Sequence, residues 1–559
     1  MFKFDPNGVL DIASDSDFLP DDALTRCKNL RVDAAGKLKT RDGSEKINAT
    51  VINTAIWLLV EQAGNRYSFA GDSIYKNEIS IASGLTQAQW SAIKYNAFND
   101  TTQQIYALNG TDRKRIQDDT VYEWGITPPS APTVAASTGT GLTGVYMAKI
   151  TYCRKVGSTV VSESDPSDAS SASASLTNDS LLITWTASSD PQVTHVRVYR
   201  TIGGGSSYLH DQDVAIGTLS VDTTTLDGAL GDEVETDHDR PPLGQVVIGP
   251  TYNGISFILK DNLLYFSNSK QPEYWPTTNF LEVSTPQLPL KAGTFSNGQF
   301  YCASKNEIYF IQGTTAATFF PFAMKAKSGA QNHFGMITVP GKGIYHTGTD
   351  GLYLFSGTDF KISERNLEPI FRGETVNGIR GVSDKLATSW LYTAGNYVYL
   401  GYTSSGYSYP TNVLAVNIAT DKIAYYVYDD GSEIEIRCIT KDETNNRTLI
   451  GDNSGYVREI EKVSQTRDET TEISWETQCK DFTLATRKHF PRWNKYDVDA
   501  SNATSCTGSL IIDGEVYASH AITGNRQVRR RLVKSGNGSR AAIRYSGSGP
   551  STIYGAESE

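Results

Sequence analysis

The sequence predicts an all-β protein, namely a β-propeller of six to eight blades interrupted by a small β-sandwich and followed by a further C-terminal β-sandwich region. Two observations lead to this prediction. Short runs of alternating apolar and polar residues, bounded by Gly, Asn, Asp and Ser, recur along the chain, whereas helical spacing of apolar residues is rare. Hairpin-like segments also recur at a nearly constant interval, which is typical of propeller blades.

The repeat is clearest in four segments that have the pattern strand, turn, aromatic strand: 257–266, 300–310, 344–355 and 448–457. Their turns contain Asp, Asn and Gly, which tolerate the positive φ of tight hairpins. Tyr265, Tyr309 and Tyr353 occupy equivalent positions at 44-residue intervals, and Val413 and Val457 repeat that interval. Weaker copies at 67–75 and 105–124 bring the count to about seven units. The competing interpretation is an array of unrelated hairpins in sandwich domains.

Proline-rich stretches at 127–132 and 239–243 divide the chain, because such stretches form stiff extended linkers. We predict N-terminal strands and the first blades at 1–127, an inserted sandwich at 128–240, the main blades at 241–465 and a C-terminal β region at 466–559. Three strand-like runs of the insertion, 144–152, 181–185 and 193–200, resemble those of a fibronectin type III domain. The run at 144–152 precedes the Trp-containing run, however, so a permuted or merged sandwich is expected.

Composition excludes several classes of protein. The net charge of −11 disfavours a general nucleic-acid coat, because a negative surface repels phosphate. The longest strongly apolar run, 55–60, is far shorter than the roughly 20 residues that a membrane-spanning helix needs. The first residues do not resemble a signal peptide, so folding in the cytosol is expected. The six cysteines show no metal-site spacing and are expected to be isolated buried thiols.

No motif of a known catalytic centre is found: there is no G-x-S-x-G, no Walker loop and no H-E-x-x-H. Some propellers are glycosidases that use paired carboxylates, and Asp350, Asp421 and Asp452 are candidates by residue type. All three fall at predicted blade turns, where Asp commonly bonds its own backbone. We therefore predict no enzymatic activity, no catalytic residue, no metal and no cofactor.

Two charged segments stand out from the average. Five aspartates crowd the segment 11–22, most simply as a solvated loop. The one dense basic run is formed by Arg526, Arg529, Arg530, Arg531 and Lys534. This run is either an ordinary exposed strand or a contact for another subunit, an acidic partner or DNA.

Three segments carry a resemblance to bacteriophage proteins. The opening 19–43, the segment 264–276 with its S-N-S-K-Q-P-E-Y-W-P sequence, and the D-P-Q-V-T-x-x-R-V-Y-R run at 190–200 look like segments of tail proteins of double-stranded DNA phages. The whole arrangement resembles the tail nozzle (tail hub, or tubular tail) proteins of short-tailed phages. The resemblance spans most of the chain.

The resemblance implies a structural virion protein of the tail, six copies of which form a ring that encloses the DNA exit channel. Its expected partners are further copies of itself, an adaptor, fibres and passing DNA that is not read by sequence. Assembly would take place in the host bacterial cytoplasm, without membrane insertion. The alternatives are a receptor-binding or glycan-cleaving tail component and a monomeric propeller scaffold that binds host proteins.

Overall fold

The computed structural model describes residues 3–4, 8–32, 37–96, 100–363, 366–483, 495–500, 503–522, 524–528 and 539–557. These residues are almost entirely β-strands and turns. No helix among them is long and apolar enough to cross a membrane. The chain divides into a first unit (Met1–Ser83, Lys291–Phe310 and Ala323–Glu559) and a second unit (Gly84–Leu290 and Ile311–Phe322).

Seven antiparallel meanders follow one another along the described chain and form the blades of a β-propeller. In the first unit, blade 1 has the strands Ile56–Gln62, Asn65–Ala70, Ser73–Lys76 and Ile79–Ala82, and blade 4 has Ala292–Ser296, Gln299–Ala303 and Ile308–Gln312. Blade 5 has the strands Met336–Val339, Gly343–Gly348, Gly351–Phe355 and Asp359–Lys361, and blade 6 has Trp390–Ala394, Tyr397–Tyr402, Asn412–Asn417 and Ile423–Val427. Blade 7 has the strands Ile436–Asp442, Arg447–Asp452, Val457–Lys462 and Gly43–Lys46. In the second unit they are: blade 2, Ser91–Tyr95, Gln104–Leu108, Arg113–Gln117 and Thr120–Glu123; and blade 3, Val246–Ile248, Phe257–Lys260, Leu263–Phe266 and Phe280–Glu282. The strand Phe320–Ala323 follows blade 4 in the chain.

The 44-residue interval of the sequence corresponds to one position in successive blades. Tyr265, Tyr309 and Tyr353 all lie in the third strand of their blades, as do Val413 and Val457. Blade 7 takes its fourth strand from the N-terminal part of the chain, with Glu459 opposite Glu45. Because this strand is distant in sequence, it ties the two ends of the repeat array together and covers an edge that would otherwise be unpaired.

Neighbouring blades pack through apolar side chains that alternate along their strands. Within the first unit, blade 7 packs against blade 1 through Ile56, Cys438 and Leu449. Within the second unit, blades 2 and 3 share one buried apolar core. It is formed by Ile93, Tyr106, Leu108, Trp124, Val247, Ile258 and Trp275. A single blade could not bury both faces of its sheet, so these contacts are what make the repeat stable.

The inserted domain is a sandwich of two antiparallel sheets in the second unit. One sheet has the order Thr133–Gly144, Leu176–Thr184, Ser220–Thr223; the other has the order Thr159–Glu163, Ala148–Val156, His195–Arg200, Leu209–Ala215. Their facing sides bury a common apolar core that includes Ile150, Leu181, Trp185 and Val198. The division into three and four strands is that of a fibronectin type III domain, but the hairpin 148–163 comes before the Trp-containing strand. The sandwich is therefore permuted.

A ladder of four serines covers an open edge of the four-stranded sheet. Ser164, Ser167, Ser170 and Ser173 each donate the main-chain N–H to a carbonyl of residues 146–152, at 2.8 to 2.9 Å. Each serine hydroxyl also accepts an N–H of the same stretch, from Tyr152, Ile150, Ala148 and Tyr146, at 3.0 to 3.1 Å. The serines recur at every third residue of their segment, and each one binds both the N–H and the C=O of one residue, at every second position of the edge strand. Because these main-chain groups are already paired, the edge cannot pair with another strand.

The C-terminal strands join sheets that start in the N-terminal segment. One sheet continues from the last strand of blade 6 in the order Leu24–Lys28, Ser474–Cys479, Arg540–Ser548, Ser505–Ile512, Glu515–Ala521, with Phe482–Thr483 beside Arg540–Ser548. A second sheet has the order Leu30–Val32, Leu38–Thr40, Thr552–Glu557, Lys495–Ala500, Gly524–Val528, with Lys3–Phe4 beside Thr552–Glu557. Short pieces complete the described elements: Arg467–Asp468, Thr471–Glu472, the 3₁₀ turns Ser16–Phe18, Asp227–Ala229 and Ala316–Thr318, and the helical turn Glu368–Phe371.

Candidate functional site

In the second unit, the sandwich meets blades 2 and 3 around one buried carboxylate, Glu273, which is 1% exposed. Glu273 Oε1 lies 2.6 Å from Arg154 Nη2 of the sandwich and 3.7 Å from Arg115 Nε of blade 2. Ser162 donates its hydroxyl to Oε2 at 2.5 Å, and Tyr106 donates its hydroxyl to Oε1 at 3.2 Å. These five residues and Gln192 are called the junction below. Three separate parts of the chain therefore meet at one carboxylate.

Gln192 extends the junction along the blade surface. Its Oε1 accepts from Arg115 Nη2 at 3.1 Å, and its Nε2 donates to the Glu123 carbonyl at 3.2 Å. Gln104 Oε1 accepts from the other terminal nitrogen of Arg115, at 2.6 Å. A glutamine is suited to this place because it offers one acceptor and two donors at the end of a single side chain.

Two tryptophans beside the junction bind the same acceptor. The indole N–H groups of Trp124 and Trp275 both donate to the Pro272 carbonyl, at 2.8 and 2.7 Å. Their rings meet edge to face at 5.9 Å, and Trp124 also contacts the Tyr106 ring at 5.2 Å. Both indoles are buried beside the ionic centre, and neither indole N–H is left without an acceptor.

The charges at the junction balance. Arg154 Nη1 lies 3.5 Å from Asp100 Oδ2, so Arg115 and Arg154 face two carboxylates. Although burial favours the neutral acid, Arg154 and Arg115 hold the pKa of Glu273 below its usual value. Two ionised pairs in a water-poor site cost desolvation energy that their attraction roughly repays, and losing one partner leaves the others uncompensated. The junction therefore fixes where the sandwich binds more than it adds net stability.

A second polar contact joins the sandwich to the strap, which is the connecting segment 232–240 between the sandwich and blade 3. Asp165 of the sandwich accepts the His238 N–H at 2.9 Å, and Asp239 accepts the Thr277 N–H at 3.0 Å. Burial, together with a hydrogen bond to Asp239, raises the pKa of Asp165 to about 6.

An open cleft of about 590 Å³ lies within the second unit, and its lining includes Lys114 and Pro191, the chain neighbours of Arg115 and Gln192. Its walls include Tyr122 of blade 2, Pro128 and Pro129 of the linker, and Thr186 and Pro191 of the sandwich. Of the charged groups at its wall, Lys114 and Glu123 form an ion pair with each other. The cleft thus marks the groove between linker, blade and sandwich.

The three aspartates considered as glycosidase candidates lie at blade turns, as predicted. Asp452 Oδ1 accepts the N–H groups of Ser454 and Tyr456 at 2.9 and 2.8 Å, and Asp421 has a positive φ of 54°. Asp350 accepts from Tyr353 and Lys361, both at 2.8 Å. Although burial opposes ionisation, these two hydrogen bonds lower the pKa of Asp350. Each of the three is in a different blade, in contacts of its own.

The structure describes the acidic segment but only one residue of the basic run. Arg526 belongs to the strand Gly524–Val528, where it is paired in register with Val498. Arg529, Arg530, Arg531 and Lys534 lie outside the described residues, so the prediction for the basic run stays a prediction. The acidic segment is less solvated than expected: Asp11 is buried and accepts from Ala13 and Ser14 N–H groups, both at 3.0 Å.

The six cysteines are free and buried, which confirms the sequence prediction. Burial raises the pKa of Cys27 and Cys438 to about 12, so these thiols are not nucleophiles at neutral pH.

The sequence did not single out the junction residues. Glu273 and Gln192 lie within the phage-like segments 264–276 and 190–200, whereas Arg115 lies in no segment with a recognisable motif. Nothing in the sequence states that the two segments meet. The alternation of Arg113, Arg115 and Gln117 predicts a solvent-facing side of this strand, so the burial of Arg115 runs against the sequence pattern.

The described residues also hold one cluster of possible metal ligands, Glu235, Asp237 and His238 on the strap. The sequence predicted no metal site, and no metal-binding motif includes these three residues.

Comparison with known proteins gives no family. No family model matches the chain, and no curated protein matches it. Among solved structures, BBS1N in complex with ARL6DN is similar at 7% identity and a TM-score of 0.26, covering 76% of this chain and 98% of that one. Hsv2 of Kluyvelomyces marxianus is similar at 7% identity and a TM-score of 0.23, covering 55% of this chain and 90% of that one. Because these TM-scores are low, nothing about this chain is inferred from the two structures. The propeller fold is seen in the seven meanders themselves.

Proposed function

We propose that the protein is a structural subunit of a phage tail nozzle, a ring of identical copies that encloses the path of the DNA. The observation that carries this proposal is the junction. Two of the three segments that resemble phage tail proteins, 264–276 and 190–200, supply Glu273 and Gln192 to it. Residues that resemble the family thus serve to fix one domain rigidly upon another, which is a structural task.

Rigidity suits a conduit because a subunit under load must not let its inserted domain swing. A sandwich on a free Pro-rich linker would move independently of the blades. Here ionic contacts to Arg154 and a bond from Ser162 hold the sandwich to Glu273, and the strap adds the contact of His238 with Asp165. The sandwich is therefore a fixed part of the second unit.

The overall charge is compatible with a channel for DNA. Each copy has a net charge of −11, and a ring multiplies this negative charge. A conduit must hold DNA weakly, because each phosphate contact that forms must break again during ejection. An acidic protein avoids strong phosphate contacts.

The test is the mass of the purified full-length protein in solution, together with two-dimensional class averages from electron microscopy. The proposal expects a closed ring, six-fold by the resemblance, with a central channel. A protein that stays monomeric over a wide range of concentration, alone and with its adaptor ring, would refute it. Cleavage of host-surface glycans by the pure protein would replace it with the glycan-cleaving alternative.

The basic run is proposed as a contact between subunits or with another tail protein. Reversing Arg529, Arg530 and Arg531 to Glu should weaken assembly, and more strongly at low salt, where exposed charges are least screened. Arg372→Glu is a suitable control, because Arg372 is an exposed arginine at the end of the helical turn that follows blade 5. Assembly that is equal in the variant and the control would show that the run is only a solvated strand face.

A further inference from the structure

Three donor atoms converge on the strap between the sandwich and blade 3. His238 Nε2 lies 2.9 Å from Glu235 Oε2 and 3.6 Å from Asp237 Oδ1. All three donor atoms lie within 4.8 Å of one another. One imidazole nitrogen and two carboxylate oxygens therefore face a common point, within three steps along the chain.

The imidazole distinguishes this group from an ordinary acidic surface cluster. His238 is 6% exposed, and its ring stacks on the Tyr274 ring at 3.9 Å and 23°. Its Nδ1 has no hydrogen-bond partner. A ring buried to this extent normally has both nitrogens paired. Here the side chain's polar contacts all run through Nε2, which points at the two carboxylates.

The surroundings keep the ligands in place and leave the site open. Asp237 Oδ2 accepts from Asn268 Nδ2 at 2.8 Å, so that its other oxygen, Oδ1, faces the histidine. The side chains of Glu235 and Asp237 are 72% and 53% exposed, so an ion can enter from solvent. Asn268 and Tyr274 both belong to the phage-like segment of blade 3, so the ligands are oriented by that blade.

We propose that Glu235, Asp237 and His238 bind one divalent transition-metal cation of the zinc class, with water in the remaining positions. Zinc takes imidazole nitrogen and carboxylate oxygen at about 2.0–2.2 Å, and ligands at those distances lie roughly 3–3.5 Å apart. The observed separations of 2.9 and 3.6 Å need only small side-chain rotations. Calcium and magnesium prefer all-oxygen sites, so the imidazole selects against them.

The bound cation would fasten the strap. Metal binding at Nε2 places the ring proton on Nδ1, which has no acceptor, and a missing partner of this kind costs about 10–100-fold in affinity. The site is therefore weaker than a fully supported zinc site. The ion would also neutralise the repulsion between the two carboxylates and hold the strap to the ring stacked on Tyr274. This inference does not depend on the tail role.

The test uses the full-length protein, freed of metal with a chelator and then dialysed. Zn²⁺ binding is measured by calorimetry, and Co²⁺ binding by the visible absorption of its d–d bands. One equivalent should bind, with nitrogen–oxygen coordination in the cobalt spectrum. The double variant Glu235→Gln, Asp237→Asn should bind at least about tenfold more weakly. Both residues are exposed, so the variant should fold.

A charge-matched control separates the site from general surface charge. The variant Glu368→Gln, Glu374→Gln also removes two exposed carboxylates, beside Arg372, and should bind Zn²⁺ like the parent. Asn268→Ala removes the bond that orients Asp237 and a bond from Asn279 but no metal ligand, so it should weaken binding by about tenfold while the stoichiometry stays at one. Absence of stoichiometric binding, equal affinity in the double variant and its control, or a preference for Ca²⁺ over Zn²⁺ would each overturn the proposal.

Discussion

The junction and the core of blade 6 bury polar groups by opposite means. The junction buries ionised groups, with Glu273 between two arginines. Blade 6 buries neutral phenols: Tyr402 donates to the Arg380 carbonyl at 2.8 Å, and Tyr425 donates to Asn412 Oδ1 at 2.5 Å. Burial raises the pKa of both tyrosines, so they stay neutral.

The difference follows from what each region must specify. Blade 6 belongs to a repeat whose packing is set by apolar alternation along its strands, and a phenol adds one bond without a large desolvation cost. The position of the sandwich on blades 2 and 3, in contrast, is not set by the repeating pattern of the blades. Charge-assisted hydrogen bonds between arginine and carboxylate require a defined geometry, so they define a docking position even when their net contribution to stability is small.

The largest effect is expected at the centre of the junction. Glu273→Ala would leave Arg115 and Arg154 buried without their shared partner, which costs about 3–5 kcal/mol. The free energy of unfolding, measured with urea, gives the value. Glu374→Ala removes an exposed ion pair with Arg372 and should cost at most about 1 kcal/mol. A loss at Glu273 no larger than in that control would show that the junction does not carry the docking.

A smaller effect on the free energy of unfolding is expected from the buried neutral imidazole of His333 in the first unit. Burial lowers the pKa of His333 from 6.5 to about 4, so the unfolded chain takes up this proton before the folded one. Stability should therefore fall as the pH falls from about 6.5 to about 4, by at most about 3 kcal/mol from this residue. Urea unfolding at pH 7 and pH 4.5 measures the fall. His333→Gln should reduce it, and an unchanged pH dependence would contradict the assignment.

The smallest effect is expected at the serine ladder. Ser170→Ala removes the hydroxyl that accepts the Ala148 N–H at 3.0 Å, so a buried donor loses its partner at a cost of about 1–2 kcal/mol. Thermal and urea unfolding measure the loss. Ser171→Ala is the matched control, because Ser171 is exposed and its side chain has no such role. Equal stability of the two variants would mean that the ladder is incidental.

The sequence predicted the parts of the fold that repeat and did not predict the parts that join them. The spacing of Tyr265, Tyr309 and Tyr353 located the third strands of three blades, because period and turn chemistry are local properties. The early position of the run 144–152 correctly indicated a permuted sandwich. The N-terminal strand of blade 7 was missed, since nothing in Gly43–Lys46 indicates which distant strand it pairs with.

The candidate site was beyond sequence reasoning for a related reason. Glu273 and Arg115 are 158 positions apart and belong to different blades, and the inserted sandwich separates them in the sequence. The strap ligands are neighbours in sequence, but His238 is notable only because its ring is buried against Tyr274. Burial of that kind is a tertiary property that an acidic stretch of sequence does not reveal.

The proposed role of the chain as the wall of a DNA conduit is tested most directly by an electron cryo-microscopy map of virus particles that contain it. If the proposal is right, the map will show several copies arranged around the tail axis, with the propeller and its sandwich recognisable in each copy and the DNA path enclosed. A single copy per tail, or copies that lie only at the periphery away from the axis, would contradict it.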